Sequence, residues 1–301
     1  MGNFGVVVQN YLLELDGRPA GRLSGVSTMA LKAKVDLQTT GADSFASKKL
    51  TAPAWDDISF TCGAGMARAF YDWLKETFNH SFTKKNGAIV AIDAKRKEVL
   101  RIDFTNALIK SIVLPKLDHA SKENAFITVK FQPESATISR SGKDANLGSY
   151  GSAHAKPWSI ANFALSISGL EKEAADVTKI EPLGMGQQVI EDSTAGSRAP
   201  QLTPGSADYP NLAFTLSASM AQSFFDWFET SVTKGSAGIE KTGTLEYRGS
   251  DTKTVYFSLQ FSGLGMSQGE ISKSAGKSPQ PVVISMYYDS VQFSAHSSAI
   301  L

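Results

Sequence analysis

Residues 60–77 read FTCGAGMARAFYDWLKET, and residues 214–231 read FTLSASMAQSFFDWFETS. Phe60, Thr61, Ala64, Met66, Ala67, Phe70, Asp72 and Trp73 recur 154 positions later as Phe214, Thr215, Ala218, Met220, Ala221, Phe224, Asp226 and Trp227. Composition does not produce so dense a match, and an internal duplication decides architecture before any local motif does. Weaker echoes hold nearly the same register. Lys85-Asn86-Gly87 answers Lys241-Thr242-Gly243, Phe104-Thr105 answers Phe261-Ser262, and residues 134–139 (ESATIS) answer 289–294 (DSVQFS). Near the starts, residues 13–17 (LELDG) align with 165–169 (LSISG). The repeat spans both halves, giving copy one over residues 1–139, a linker over 140–158 and a diverged copy two over 159–301.

Within each copy the dominant pattern is strand. Ile127, Val129 and Phe131 alternate with Thr128 and Lys130, the period of a half-buried strand. Residues 87–93 and 99–104 flank a polar turn and predict a hairpin. Residues 255–261 and 282–288 are strands of copy two. The repeated segment is the exception. Met66, Phe70, Trp73, Leu74 and Thr77, and likewise Met220, Phe224, Trp227, Phe228 and Ser231, fall at helical spacing. The fold class is therefore mainly β, in two tandem domains with one short flanking helix each, whose core positions are Met66, Phe70, Trp73, Met220, Phe224 and Trp227. The linker, rich in Gly, Ser, Ala and Lys, reads as a spacer that leaves the placement of the domains open.

Composition excludes several classes. The 301 residues are 42% hydrophobic, enough for two cores. With 30 basic and 29 acidic residues, nothing argues for a nucleic-acid or anionic-membrane partner. The halves differ: 20 basic and 15 acidic residues lie within residues 1–150, and 10 and 14 after, nets of +5 and −4 that favour contact between unlike halves. Cys62 is alone, so no intrachain disulfide forms. No signal peptide or transmembrane run is recognisable, and synthesis and assembly in the cytoplasm are expected.

The chemical motifs have plainer readings. Gly63-Ala64-Gly65 lacks the third glycine of a dinucleotide loop, and copy two carries Ser217 and Ser219 there, with Ser219 expected as a helix cap. Gly276-Lys277-Ser278 resembles the end of a phosphate loop, but the upstream glycine is missing and Pro279 follows. His80, His119, His154 and His296 are scattered without metal spacing and are expected at the surface. Asp72 and Asp226 belong to the solvent side of the amphipathic helices, and Asn79-His80-Ser81 matters only in a secreted chain. The expectation is no catalytic, cofactor or metal site, and no enzyme.

The order of helix with aromatic-Asp-Trp, then residues 85–93 (KNGAIVAID), then 98–107 (EVLRIDFTNA), resembles the contractile-phage tail-tube protein family, and Leu117-Asp118 and Lys122-Glu123-Asn124 before the last strand fit it. The resemblance covers about residues 13–139. Copy two departs from it at residues 242–247 (TGTLEY) and at Gln280-Pro281, and belongs to the pattern chiefly through its similarity to copy one. The resemblance implies tail-tube-like β-sandwich or barrel domains, as in the tubes of contractile injection systems and type VI secretion. It implies a virion or injection-particle subunit that self-assembles into rings and a hollow tube.

A long loop after the second strand reaches a neighbour in that family. The matching stretches are residues 38–55 (QTTGADSFASKKLTAPAW) and 187–209, in which Gln38, Gly41, Phe45, Lys48, Lys49, Trp55, Gln187, Arg198 and Tyr209 are inter-subunit candidates. Three chains closing a pseudo-sixfold homo-oligomeric ring are favoured over six chains in two stacked rings. Sheath, baseplate and hub proteins are further candidate partners, no membrane anchor is expected, and the lumen cargo is unknown. A hub, adaptor or tube-initiator ring is the alternative, and an effector or enzyme on the same scaffold a remote one.

Overall fold

The computed structural model describes residues 8–27, 31–39, 46–150, 158–192, 200–233, 240–271 and 280–301. Copy one runs β1 (Asn10–Leu15), β2 (Arg18–Leu23), β3 (Gly25–Val26), β4 (Leu31–Thr39), β5 (Ala46–Trp55), β6 (Ile58–Cys62), α1 (Arg68–Phe78), β7 (Lys85–Ile92), β8 (Glu98–Val113), β9 (Leu117–Asp118), β10 (Ile127–Gln132) and β11 (Ser135–Ser139). Copy two follows with β12 (Trp158–Ile167), α2 (Glu171–Ala174), β13 (Lys179–Ile180), β14 (Gly184–Asp192), β15 (Gln201–Asp208), β16 (Leu212–Ser217), α3 (Ala218–Phe228), β17 (Lys241–Gly249), β18 (Val255–Ile271), β19 (Pro281–Tyr287) and β20 (Ser290–Ala295). In copy one the antiparallel path β1-β7-β8-β10-β6-β3 repeats in copy two as β12-β17-β18-β19-β16-β13, and β11 on β8 repeats as β20 on β18. The fold is mainly β, as the periodicities predict.

The long strand explains how one chain segment serves two sheets. The first part of β8 lies between β7 and β11, and its last residues pair with β10. The change falls at Asn106, whose φ of 49 places it in the left-handed region; Gly263, its counterpart 157 positions on, has φ 66. The local reversal re-aims the strand, as a bulge does at a barrel corner.

The helices bury one face each. Phe70, Trp73, Leu74 and Phe78 of α1 are fully enclosed, while Asp72 is exposed. Met66 is buried too, but lies before the helix, bridged to Ile300; Met220 is inside α3 and only partly buried. The expected cap Ser219 is a first-turn residue instead. Strand β16 runs straight into α3, so Ser217 takes the cap position, and its hydroxyl donates to Asp176 at 2.6 Å. Copy two also has a second, four-residue helix, α2, where copy one has β2. Acidic Glu171 and Glu173 in its first turn suit a helix start, and Ala174 and Val177 anchor it.

Part of the expected linker is docked on copy one. The Ala145 amide donates to the Arg96 carbonyl, the Glu98 amide to that of Lys143, and Lys97 pairs with Asp144 at 2.8 Å. Tyr150 then closes over Leu12, Ala88, Val90 and Ile92, its hydroxyl donating to Glu14 at 2.6 Å. Few apolar residues suffice because the sheet beneath supplies the rest of that small core.

Candidate assembly interface

The two copies share strands. β14 of copy two pairs with the end of β8 of copy one, Gly184 opposite Val113, Met185 opposite Ile112 and Gly186 opposite Ser111. β13 in turn takes β9 of copy one as its outer neighbour. The Leu114 amide donates to the Leu183 carbonyl at 2.7 Å and the His119 amide to that of Thr178 at 3.0 Å. Two ion pairs flank this seam, Lys116 with Glu181 and Lys179 with Asp118. Both are largely solvated and orient the pairing more than they stabilise it.

Strands β14 and β15 form a hairpin that lies on copy one. Gln132 donates to Glu191 at 2.6 Å, and the Leu202 amide to Glu134 at 2.9 Å. The Tyr209 hydroxyl donates to the Phe78 carbonyl at 3.1 Å. Helix α1 packs on β20 and β18: Phe78 stacks on Phe293 at 5.4 Å between ring centroids, and Tyr71 meets Phe257 at 5.3 Å. One hydrophobic core runs through both copies. His119 is exposed, as expected of it, yet it stacks on Phe163 at 3.9 Å and its Nδ1 is 2.7 Å from the Ala161 carbonyl oxygen. The ring bridges the copies, a role that sequence spacing does not signal.

Glu134 is the polar centre of the seam. Burial alone would push its carboxyl up, but bonds from Lys84, the Leu202 amide and Asn106 outweigh burial and hold it below its ordinary value of 4.5. A carboxyl with a depressed folded-state pKa contributes stability that is present above the unfolded value and lost as pH falls through the folded one. Denaturant midpoints should therefore be flat above about pH 5 and fall below about pH 4. Glu134→Gln should lower the neutral midpoint and flatten the acid limb; an unchanged limb would place the titration elsewhere.

The long stretches expected as interaction loops are hairpins. β4 pairs with β5, and the register repeats residue for residue 154 positions on in β14 and β15: Val35 opposite Leu50 becomes Val189 opposite Pro204, with the same bulge before it. Among the described residues, β4 and β5 pair with no other strand. Gln38 lies in β4, Lys48 and Lys49 are exposed on β5, and Trp55 ends it half-buried. Gln187 is buried on β14, and Tyr209 sits on copy one. Gly41, Phe45 and Arg198 lie outside the described residues.

Residues 7–137 match the family model described as T4-like virus tail tube protein gp19. Copy one is similar to this family over nearly its whole length. The match ends before copy two, whose strand order repeats that of copy one. Solved structures similar to the chain include a chain of the anti-feeding prophage baseplate (13% identity, 46% of this chain and 98% of that one, TM-score 0.39). A chain of an extracellular contractile injection system sheath–tube complex has 14% identity over 46% of this chain and 93% of its own, with TM-score 0.38. Hcp1 from Flavobacterium johnsoniae has 11% identity over 44% of this chain and 95% of its own, with TM-score 0.27. No curated protein matches the chain.

The matched family is structural, a component of the tail tube. Among the described residues, no group of three or more His, Cys, Asp or Glu is placed to hold a metal ion. None of the described helices is long and apolar enough to cross a membrane.

Proposed function

We propose that the chain is a structural subunit that assembles with itself into a tail-tube-like ring and so builds a hollow channel. The observation that carries this reading is the strand seam between copy one and copy two, a joint between two like domains made inside one polypeptide. A joint between different surfaces of successive domains is heterologous, and such joints close into rings or run on as filaments. Three chains then supply six domains in alternation, threefold by chemistry and sixfold by shape. The work is geometric: strand edges are completed by neighbours and no catalysis is required.

A hub, adaptor or tube-initiator ring is the second reading, favoured by the same alternation, since a threefold chain with a pseudo-sixfold outline mates with both symmetries. Sheath, baseplate or hub proteins are the further partners either reading expects. Mass photometry and negative-stain imaging of the purified chain test the proposal. Closed particles of three chain masses are expected, with long filaments favouring the tube and isolated rings the hub. A chain that stays single at high concentration sinks both.

A further inference from the structure

The internal joint uses one side of each copy, and the repeat supplies the other side of each without a strand partner among the described residues. On copy two, residues 268–270 of β18 correspond to residues 111–113 of β8, the edge that β14 occupies. The correspondence is fixed by their shared pairing partners: Thr128 faces Val113 as Val283 faces Glu270. Residues 268–270 pair with β19 on one side and, among the described residues, with nothing on the other. Leu114 beside the occupied edge is fully buried; its counterpart Ile271 is 56% exposed.

The side chains of the internal joint have counterparts that are complementary but differently made. Glu191 with Gln132 becomes Leu37 with Tyr287, a polar pair replaced by two apolar side chains that are 66% and 42% exposed. Phe293 on Phe78 becomes Ile138 with Val232, again both exposed. Leu202 at Glu134 becomes Lys48 with Asp289, both exposed and opposite in charge. Every first member lies on the hairpin side of copy one and every second on the helix side of copy two. A cavity of ≈ 140 Å³ marks the latter, lined by Trp227, Phe228, Ser231, Val232, Met266 and Tyr287. An exposed strand edge beside apolar side chains is a surface built to be covered.

We infer that the β4–β5 hairpin of a second copy of this chain seats on that face, with β4 antiparallel to residues 268–270 of β18, Leu31 opposite Gly269 and Lys32 opposite Gln268. The register is that of β14 on β8 carried through the repeat. It rests on the ring reading but names the seam, and different substitutions at corresponding positions of the two joints keep a hairpin from entering the wrong one. Leu37 against Gln132, or Glu191 against Tyr287, leaves a polar group facing an apolar one.

Disulfide trapping tests the register. Lys32→Cys with Gln268→Cys in the full chain should give reducible inter-chain dimers and higher species under mild oxidant, because directly opposed strand positions bring Cβ atoms to about 5 Å. Buried Cys62 does not compete. Lys32→Cys with Ser111→Cys should give none, since β14 holds that edge. In parallel, Lys48→Asp and Asp289→Lys should each weaken self-association about tenfold, and the double variant should restore it. Particles that form without the Lys32–Gln268 cross-link and without charge rescue overturn this seam and leave the ring reading standing. A wild-type chain that never associates overturns both.

Discussion

Gly184→Val should cost about 4 kcal/mol or more of stability and loosen copy two from copy one. Gly184 has φ +156, and a Cβ there would lie 1.9 Å from the Ile112 carbonyl oxygen. That neighbour is backbone at the centre of the three-residue pairing of β14 with β8, so no rotamer change relieves the clash. Either β14 leaves the edge of β8, and the Leu114 bond to Leu183 with it, or both strands distort. Gly186→Ala is the control two residues on, where an added Cβ meets nothing within 4 Å and the change should stay within about 0.5 kcal/mol. Urea midpoints of the two variants measure the difference. Equal midpoints would mean that the strand seam does not hold the copies together.

Trp73→Ala should cost about 3–5 kcal/mol, the range for truncating a fully buried aromatic. Trp73 has no exposed surface, meets Phe131 at 5.8 Å and donates its indole N–H to the Thr83 carbonyl at 3.0 Å. The repeated residue is not its equal. Trp227 keeps 8% of its surface, lies under Lys241 at 5.3 Å and lines the uncovered cavity of copy two. Trp227→Ala should cost roughly half as much in dilute protein. The gap should narrow as protein concentration rises, because a neighbour that covers the cavity adds stability by mass action. Denaturation at two concentrations checks it; a gap independent of concentration would argue against a covered face.

The two tryptophans also show what the sequence discloses. Duplication, strand class and the buried helix face were legible because period and repetition survive in the residues: Ile127, Val129 and Phe131 alternate, and Phe70 and Trp73 recur as Phe224 and Trp227. Residues 38–55 read as a loop, although they belong to the β4–β5 hairpin and part of its signal stands just upstream. Leu31, Ala33, Val35 and Leu37 alternate with Lys32, Lys34, Asp36 and Gln38, but the Gly, Pro and Ser beyond them carry the composition of a loop. Helix starts were misjudged by two residues in each copy. Met66 and Ser219 fit a helical period, yet α1 begins at Arg68, and the strand running into α3 gives the cap position to Ser217. The seam itself was not legible, since strand alternation assigns faces but says nothing about which edge meets which.

Carrying one joint in two inside the polypeptide changes the arithmetic of assembly. Each internal joint forms at the effective concentration set by a tether, with no dependence on how much protein the cell holds. The six-domain annulus proposed above would therefore require two bimolecular encounters where separate domains would require five, the last joint closing within the complex, and its concentration threshold would follow a correspondingly lower power. The docked segment sharpens this by holding the chain on copy one as far as Tyr150.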